Sequence, residues 1–435
     1  MLRKRIQLGL LHVAVAMTLV PINSTLNRVM IKELAISATL VAILASLPYL
    51  FSPIQVAIGS FSDRHPILGF RRSPYILIGL LLCVIGVIVS PQVAFKLAED
   101  FWPGVGLGIL AFGAWGMGYN LAAVSYLSLA TELSGESGRG KTIAVMWFMM
   151  ITSIIVTAIG LSRMVDPYTP AAMVRAFWIV GLAALALGLI GMLALEKRVL
   201  FPQAGRTENY TWGAMFRAIL SNRQATAFFW YLTILLAAIL GQDLLLEPFS
   251  GEAFGLTVRQ STSITSLWGT CVLIALLLAG ALEGRIARKK IAALGAWGAL
   301  AGFILIFASG FVLNLIVFYL GVMLLGVGTG LATVSNLSLM LDMTAPEKIG
   351  LFIGAWGMAN AASRLVGTVL GGAVRDLVAQ ASQNPLTGYL VVFGIEAGML
   401  AISLTMLRRI DVVSFRRQAE ASSLVERAAI ASEAD

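Results

Sequence analysis

The sequence predicts an all-α membrane protein of twelve spans, arranged as two parallel six-helix bundles. Three observations predict it. Apolar runs of about 20 residues, the length that crosses a bilayer, recur along all 435 residues, which are 58% hydrophobic and only 12% charged. The mean hydropathy is +0.88, whereas a soluble domain carries about 25% charged residues. The 31 Lys and Arg residues are distributed unevenly among the connections. And the two halves repeat: "GMGYNLAAVSYLSLATEL" (116–133) aligns with "GVGTGLATVSNLSLMLDM" (326–343) at a constant offset of 210.

The spans are expected at 6–30, 36–61, 74–94, 103–131, 140–162, 172–195, 225–247, 260–283, 291–312, 315–341, 349–373 and 387–407. The first apolar stretch runs on through Pro21 and Asn23, so it is expected to be a span and not a cleaved leader. This divides the chain into a bundle at 1–196, a connecting loop at 197–224, a second bundle at 225–409 and a tail at 410–435. The loop includes "YTWGAMFRAIL", an amphipathic stretch suited to lying on the membrane surface. The N-terminus, the even-to-odd connections and the tail hold 23 of the basic residues; the opposite side holds 6. Positive charge stays cytoplasmic, so both termini are expected inside. The net charge of +9 therefore reports topology. The expected surroundings are a lipid bilayer, with no nucleic acid.

Six spans per half is an even number, so the halves share one orientation. Gly116, Gly118, Leu121, Val124 and Ser125 recur as Gly326, Gly328, Leu331, Val334 and Ser335, and Glu132 answers Asp342. Gly118, Ala122 and Ser125 fall at i, i+4 and i+7, as do Gly328, Ala332 and Ser335. Small residues on one helix face allow close approach in lipid. Two readings stand: plain helix packing, or the wall of a pseudo-symmetric cavity.

"GSFSDRHPILGFRRSPY" (59–75) joins spans two and three. Gly59, Asp63, Arg64, Gly69, Arg71 and Arg72 in this order resemble the signature loop of the major facilitator superfamily, which implies that fold for the twelve spans. Asp63 is expected to latch the inner gate, by bridging to the arginines or to the second bundle. "GALEGRIARKK" (280–290) is a weaker copy, with Glu283 displaced by one position.

"AILGQDLLLEPFSGEAFGLT" (238–257) poses a sharper problem, because Asp243 and Glu247 would share one helix face in an apolar span. Pro248 is expected to end the span near Glu247. Residues 249–255, with two glycines, would then form a lid loop. Intramembrane charge flags function. Arg28 near the outer end of span one is the expected partner for these acids, with Gln242 supplying a hydrogen bond. Arg364 and Glu396, midway along spans eleven and twelve, are expected either to pair or to form a transport site.

Together with "STLNRVMIKEL" (24–34), these stretches resemble the bacteriochlorophyll delivery family, the PucC and LhaA type with its cyanobacterial relatives, over essentially all twelve spans. The residues that carry the resemblance are Asn27, Arg28, Asp63, Arg64, Arg71, Arg72, Gln242, Asp243, Glu247, Pro248, Gly251 and Glu252. It implies an assembly factor of photosynthetic membranes. Such a protein would bind or deliver chlorophyll or bacteriochlorophyll as cargo. Its partners would be nascent light-harvesting or photosystem subunits and pigment-synthesis enzymes. A chlorin needs an axial ligand for its magnesium, and imidazole or amide oxygen can serve. His12, Asn120 and Asn336 are the candidates, with Asn23, Gln242 and Asn360 as alternatives. A helix-packing role is equally open to each.

Cys83 and Cys271 lie in apolar spans and read as small hydrophobes, with neither a disulfide nor a metal site expected. No phosphate-binding loop, nucleophile triad or zinc motif is present in the sequence. An enzyme is therefore not expected, nor a nucleotide. Two alternatives to pigment handling stand: a proton-coupled transporter of a small solute using Asp243, Glu247 or Glu396, and a pigment-free assembly scaffold.

Overall fold

A computed structural model describes residues 2–52, 54–196, 198, 220, 222–282, 285–343 and 349–415. The amphipathic stretch of the connecting loop lies almost wholly outside them, as do Glu283 and residues 416–435 of the tail. The described residues are helical nearly throughout. Ten helices are long and apolar enough to cross a membrane. The other two expected spans are a helix broken into pieces at 38–64 and the 34-residue helix Ile349–Ser382.

The helices are α1 (Leu2–Pro21), α2 (Ala38–Ala45), α3 (Leu47–Leu50), α4 (Ile54–Arg64), α5 (Ser73–Glu99), α6 (Phe101–Met164) and α7 (Pro170–Met192) in the first half. The second half holds α8 (Arg223–Gly241), α9 (Leu246–Phe254), α10 (Val258–Leu282), α11 (Arg288–Val312), α12 (Leu315–Asp342), α13 (Ile349–Ser382) and α14 (Pro385–Arg409). α1 continues through wide π-turns at Ile22–Leu26 and Val29–Glu33. Below, the end of the bundle that carries Leu2 and Arg409 is called the terminal end and the opposite one the distal end.

Three local features differ from the expected boundaries. Spans four and five form one continuous helical run, interrupted only at Gly135 (φ 64°, ψ 174°). A residue without Cβ can turn the chain there without strain. Span two is broken after Ala45 and Leu50, where Ser46 and Phe51 cap the pieces. Span seven ends at Gly241, followed by a 3-10 turn at Gln242–Leu244. Pro248 therefore does not end a helix. It sits in the first turn of α9, where its missing N–H has no intrahelical partner to lose. The expected lid loop is this buried helix, closed by Gly255 in the left-handed region (φ 65°).

The small-residue repeats turn out to be packing surfaces. A Cβ on Gly79 would lie 2.5 Å from the Ala122 nitrogen, so α5 meets α6 backbone to backbone. Gly295 stands 2.5 Å from the Ala332 nitrogen by the same measure, and α11 meets α12 in the same way. The repeat thus conserves a helix–helix contact in each half. The cavity-wall reading gives way here to dispersion-driven packing between small residues.

Candidate functional site

The signature loop is built around a buried arginine. Leu68 and Gly69 turn the chain with positive φ (53° and 80°), and Ile67 pairs with Phe70 across the turn. Arg72 then donates from Nε and Nη2 to Glu132 Oε1 at 3.1 and 3.0 Å and from Nη1 to Ser62 at 2.6 Å. Arg71 reaches the other Glu132 oxygen at 3.5 Å. Glu196 accepts the backbone N–H groups of Arg71, Arg72 and Ser73. Arg198 lies over the Phe70 ring. Arg64 is exposed in the last turn of α4. The side chain of Asp63 lies outside the described residues, and Gly59 is described only as helical backbone. In the second half Arg288 binds Asp342 at 2.8 Å, and Asp342 is the repeat partner of Glu132. Each half therefore ties its signature-type arginine to the end of its own fourth span. We expect Arg72→Ala to lower stability by about 2 kcal/mol, because Glu132 loses a partly buried charged partner. Thermal unfolding in detergent, with Arg72→Lys recovering only part of the loss, checks it.

At the distal end the halves are tied together through α9. Phe249 anchors this helix to the second half against Phe318, Tyr389 and Phe393, with ring centroids 5.0 to 5.9 Å apart. From that anchor Glu247 faces the first half. It is 4% exposed and accepts Ser24 Oγ from span one and Thr265 Oγ1 from α10, both at 2.5 Å. Among the described residues its Oε2 has no partner. Glu252 pairs with Lys32.

Arg28 donates to Glu33 at 2.8 Å and to the Leu256 carbonyl at 3.1 Å, not to Asp243 or Glu247 as the sequence suggested. The reason is geometric. Gly251 leaves the space that the guanidinium fills, since a Cβ there would lie 2.5 Å from Arg28 Nη2. The π-turns around Arg28 deliver it to that gap. Asn27 beside it is buried, its Oδ1 without a partner among the described residues. Nearby, burial pushes the Tyr168 phenol above the ordinary tyrosine range; the Glu33 carboxylate adds to this and Arg28 opposes it. Asp376 of α13 completes the closure. It accepts the backbone N–H groups of Ala38 and Thr39 and the Thr39 hydroxyl at 3.1, 2.8 and 2.7 Å, covering the N-terminus of α2.

Deeper in the bundle Asp243 pairs with Arg364 of α13 at 3.2 Å and accepts Gln242 Nε2 at 2.7 Å. The expected Gln242 bond is present. The expected Arg364–Glu396 pair is not: Arg364 turns to Asp243 and to the Tyr49 hydroxyl at 3.1 Å, its guanidinium 5.0 Å over that ring. Glu396 is buried, with Oε2 unpartnered among the described residues and Oε1 against Gly241. The break at Gly241 explains the choice, since the 3-10 turn swings Asp243 off the face that a straight helix would give it.

The three candidate chlorin ligands differ in what they leave open. Asn120 is fully buried; its amide donates to the Pro48 and Gly116 carbonyls and its oxygen accepts Gln55 Nε2. Asn336 accepts the Tyr231 hydroxyl at 2.8 Å. Of the three, His12 keeps a ligand-type atom, Nδ1, without a partner among the described residues. Its ring lies 5.2 Å from Tyr126 and 6.1 Å from Trp147. Glu132, Glu196, Asp376, Ser24, Thr265 and Tyr49 were not singled out as site residues from the sequence. Only Glu132 carried a signal there, its match with Asp342.

These elements define the protein's class. Two six-span halves closed at one end and carrying charges between them are the major facilitator fold. The chain resembles the nucleoside transporter NupG at TM-score 0.72 and 15% identity, covering 94% of this chain and 99% of that one. A bacterial homologue of the lysosomal transporter Spinster, in an inward-facing and unoccupied conformation, also gives 0.72, at 11% identity over 95% and 97%. At that identity the likeness concerns the fold alone. Residues 25–415 match the family described as PUCC protein, and the chain belongs to that family. It is 32% identical to Protein PucC of Cereibacter sphaeroides, over 93% of this chain and 91% of that protein. It is 26% identical to a Rhodobacter capsulatus protein named "Bacteriochlorophyll synthase 44.5 kDa chain", over 92% and 93%.

Proposed function

We propose that this protein works in a photosynthetic membrane, where it binds or delivers chlorophyll or bacteriochlorophyll and assists assembly of light-harvesting or photosystem complexes. The observation that carries this reading is membership of the PucC family over residues 25–415. Its partners are nascent antenna or photosystem subunits and the enzymes that supply pigment. Both termini face the cytoplasm, as the distribution of Lys and Arg implies. The role involves no catalysis. His12 is the axial-ligand candidate, because its Nδ1 has no partner among the described residues and two aromatic rings stand beside it.

The test is deletion in the native host, with the protein purified from a complemented strain. Loss of the pigment–protein complex together with a chlorin absorption band on the purified protein is the expected result. Co-purified antenna subunits without pigment would favour a scaffold that moves nothing. A normal complex in the deletion strain would sink the assembly role. That outcome would turn attention to proton-coupled transport, which the buried Glu247 and Glu396, each with an oxygen unpartnered among the described residues, favour. A reporter fused after Arg417 should be active on the cytoplasmic side; periplasmic activity would reverse the topology.

A further inference from the structure

Arg364 lies at the midpoint of α13, yet its side chain is 28% exposed and that of Asp243 24%. The surroundings show what this exposure faces. Val366 and Leu370, exposed at 45% and 57%, mark the lipid side of the helix. At about 100° per residue, Gly357 and Arg364 fall on the opposite side, and Asn360 lies about 40° around the helix from Arg364. Asn360 is exposed there, and a Cβ added at Gly357 would meet no atom within 4 Å. The open side is thus a cleft between the halves, reaching from Arg364 toward the terminal end. In the distal direction it stops. Gly372, about 12 Å along the helix, packs on the Ala38 carbonyl, and Asp376 seals the contact. Arg364 is the floor of this cleft. Its hydrogen bonds to Tyr49 and Asp243 both leave from Nη1. The half-buried rings of Tyr49 and Tyr119 stand on the side of the first half.

We propose that the remaining edge of the Arg364 guanidinium seats the carboxylate of an amphipathic organic acid. Resting on the assembly reading above, the pigment form taken is a chlorin with a free propionate, not the long-chain ester. A guanidinium presents its N–H donors in a fork that matches a carboxylate. The flanking tyrosine rings suit a flat apolar body. The Arg364–Asp243 pair is neutral as it stands, so a second carboxylate arrives with its proton. The incoming carboxyl takes the free edge of the guanidinium while Asp243 stays at Nη1; the incoming O–H bond breaks, and the proton is left on Asp243. The titratable and charged groups around that exchange are Arg364, Tyr49, Tyr119 and Glu396, with Glu247 already engaged by Ser24 and Thr265.

The experiment titrates the full-length protein in lipid nanodiscs with two pairs of probes. One pair is bacteriochlorophyllide a and its methyl ester. The other is pyrenebutyric acid and its methyl ester. Wild type should bind each acid about ten- to a hundredfold tighter than its ester, the worth of one charge-assisted contact. Proton uptake from a weakly buffered solution should accompany the added acid salt. The double variant Arg364→Gln/Asp243→Asn removes both charges together and so avoids stranding either; it should bind acid and ester alike, with a retained cooperative thermal unfolding transition as the folding control. Equal affinity for acid and ester in both pairs on wild type overturns the seat. Binding of the chlorin ester in preference to the acid overturns it too, while leaving the assembly reading intact. Acid preference in the pyrene pair with no chlorin binding upholds the seat and sinks the pigment.

Discussion

Asp243→Ala is expected to destabilise the protein by about 3 kcal/mol, the low end for breaking a buried pair, because the site is a quarter exposed to the cleft. The loss comes from stranding Arg364, whose guanidinium keeps the Tyr49 ring below it. Removing Arg364 as well takes away the stranded charge. The double variant Asp243→Ala/Arg364→Gln should therefore be more stable than Asp243→Ala alone. A double-mutant cycle on unfolding in detergent measures the coupling, expected at about 2 kcal/mol. Strictly additive losses would mean that the pair contributes nothing. The parallel cycle with Arg28→Gln serves as a contrast. Arg28 is held by Glu33 and the Leu256 carbonyl, so its coupling to Asp243 should be close to zero.

Asp376→Ala should open the distal end. The carboxylate covers two backbone N–H groups at the start of α2 and the Thr39 hydroxyl, all across the boundary between the halves. An anion there also meets the positive end of the helix. Its loss removes about 3 kcal/mol of closure, more than a hundredfold shift in the closed-to-open ratio. The readout is labelling of Val41→Cys, a position fully buried in the closed state, by a membrane-impermeant maleimide. The background lacks Cys83 and Cys271. Labelling that stays as slow as in the parent protein would show that α9 and its contacts hold the distal end alone.

Much of this architecture was legible because it is encoded locally. Hydropathy over windows the length of a bilayer located the spans, since an apolar helix in lipid satisfies its own backbone and needs no distant partner. The repeat at offset 210 placed Glu132 and Asp342 in equivalent positions, and the structure gives both the same work, holding an arginine at the end of the fourth span in each half. Gln242 was correctly read as a hydrogen-bond partner of Asp243 because the two are adjacent in the chain.

What the sequence by itself determined is therefore the membrane class, the spans, the two-half repeat and the residues whose charge demands a partner. The tertiary structure alone decided which partner each one takes. Arg28 and Arg364 are both arginines facing acids in apolar spans, and nothing local distinguishes their choices. The choice depends on where the backbone departs from a straight helix. The π-turns carry Arg28 into the gap above Gly251, and the break at Gly241 swings Asp243 toward α13. Pro248 shows the same limit, ending a helix by local rule but standing in the first turn of a new one because the chain had already turned. An ion pair is fixed by a few ångströms of separation between side chains far apart in sequence. Only packed helices set that separation.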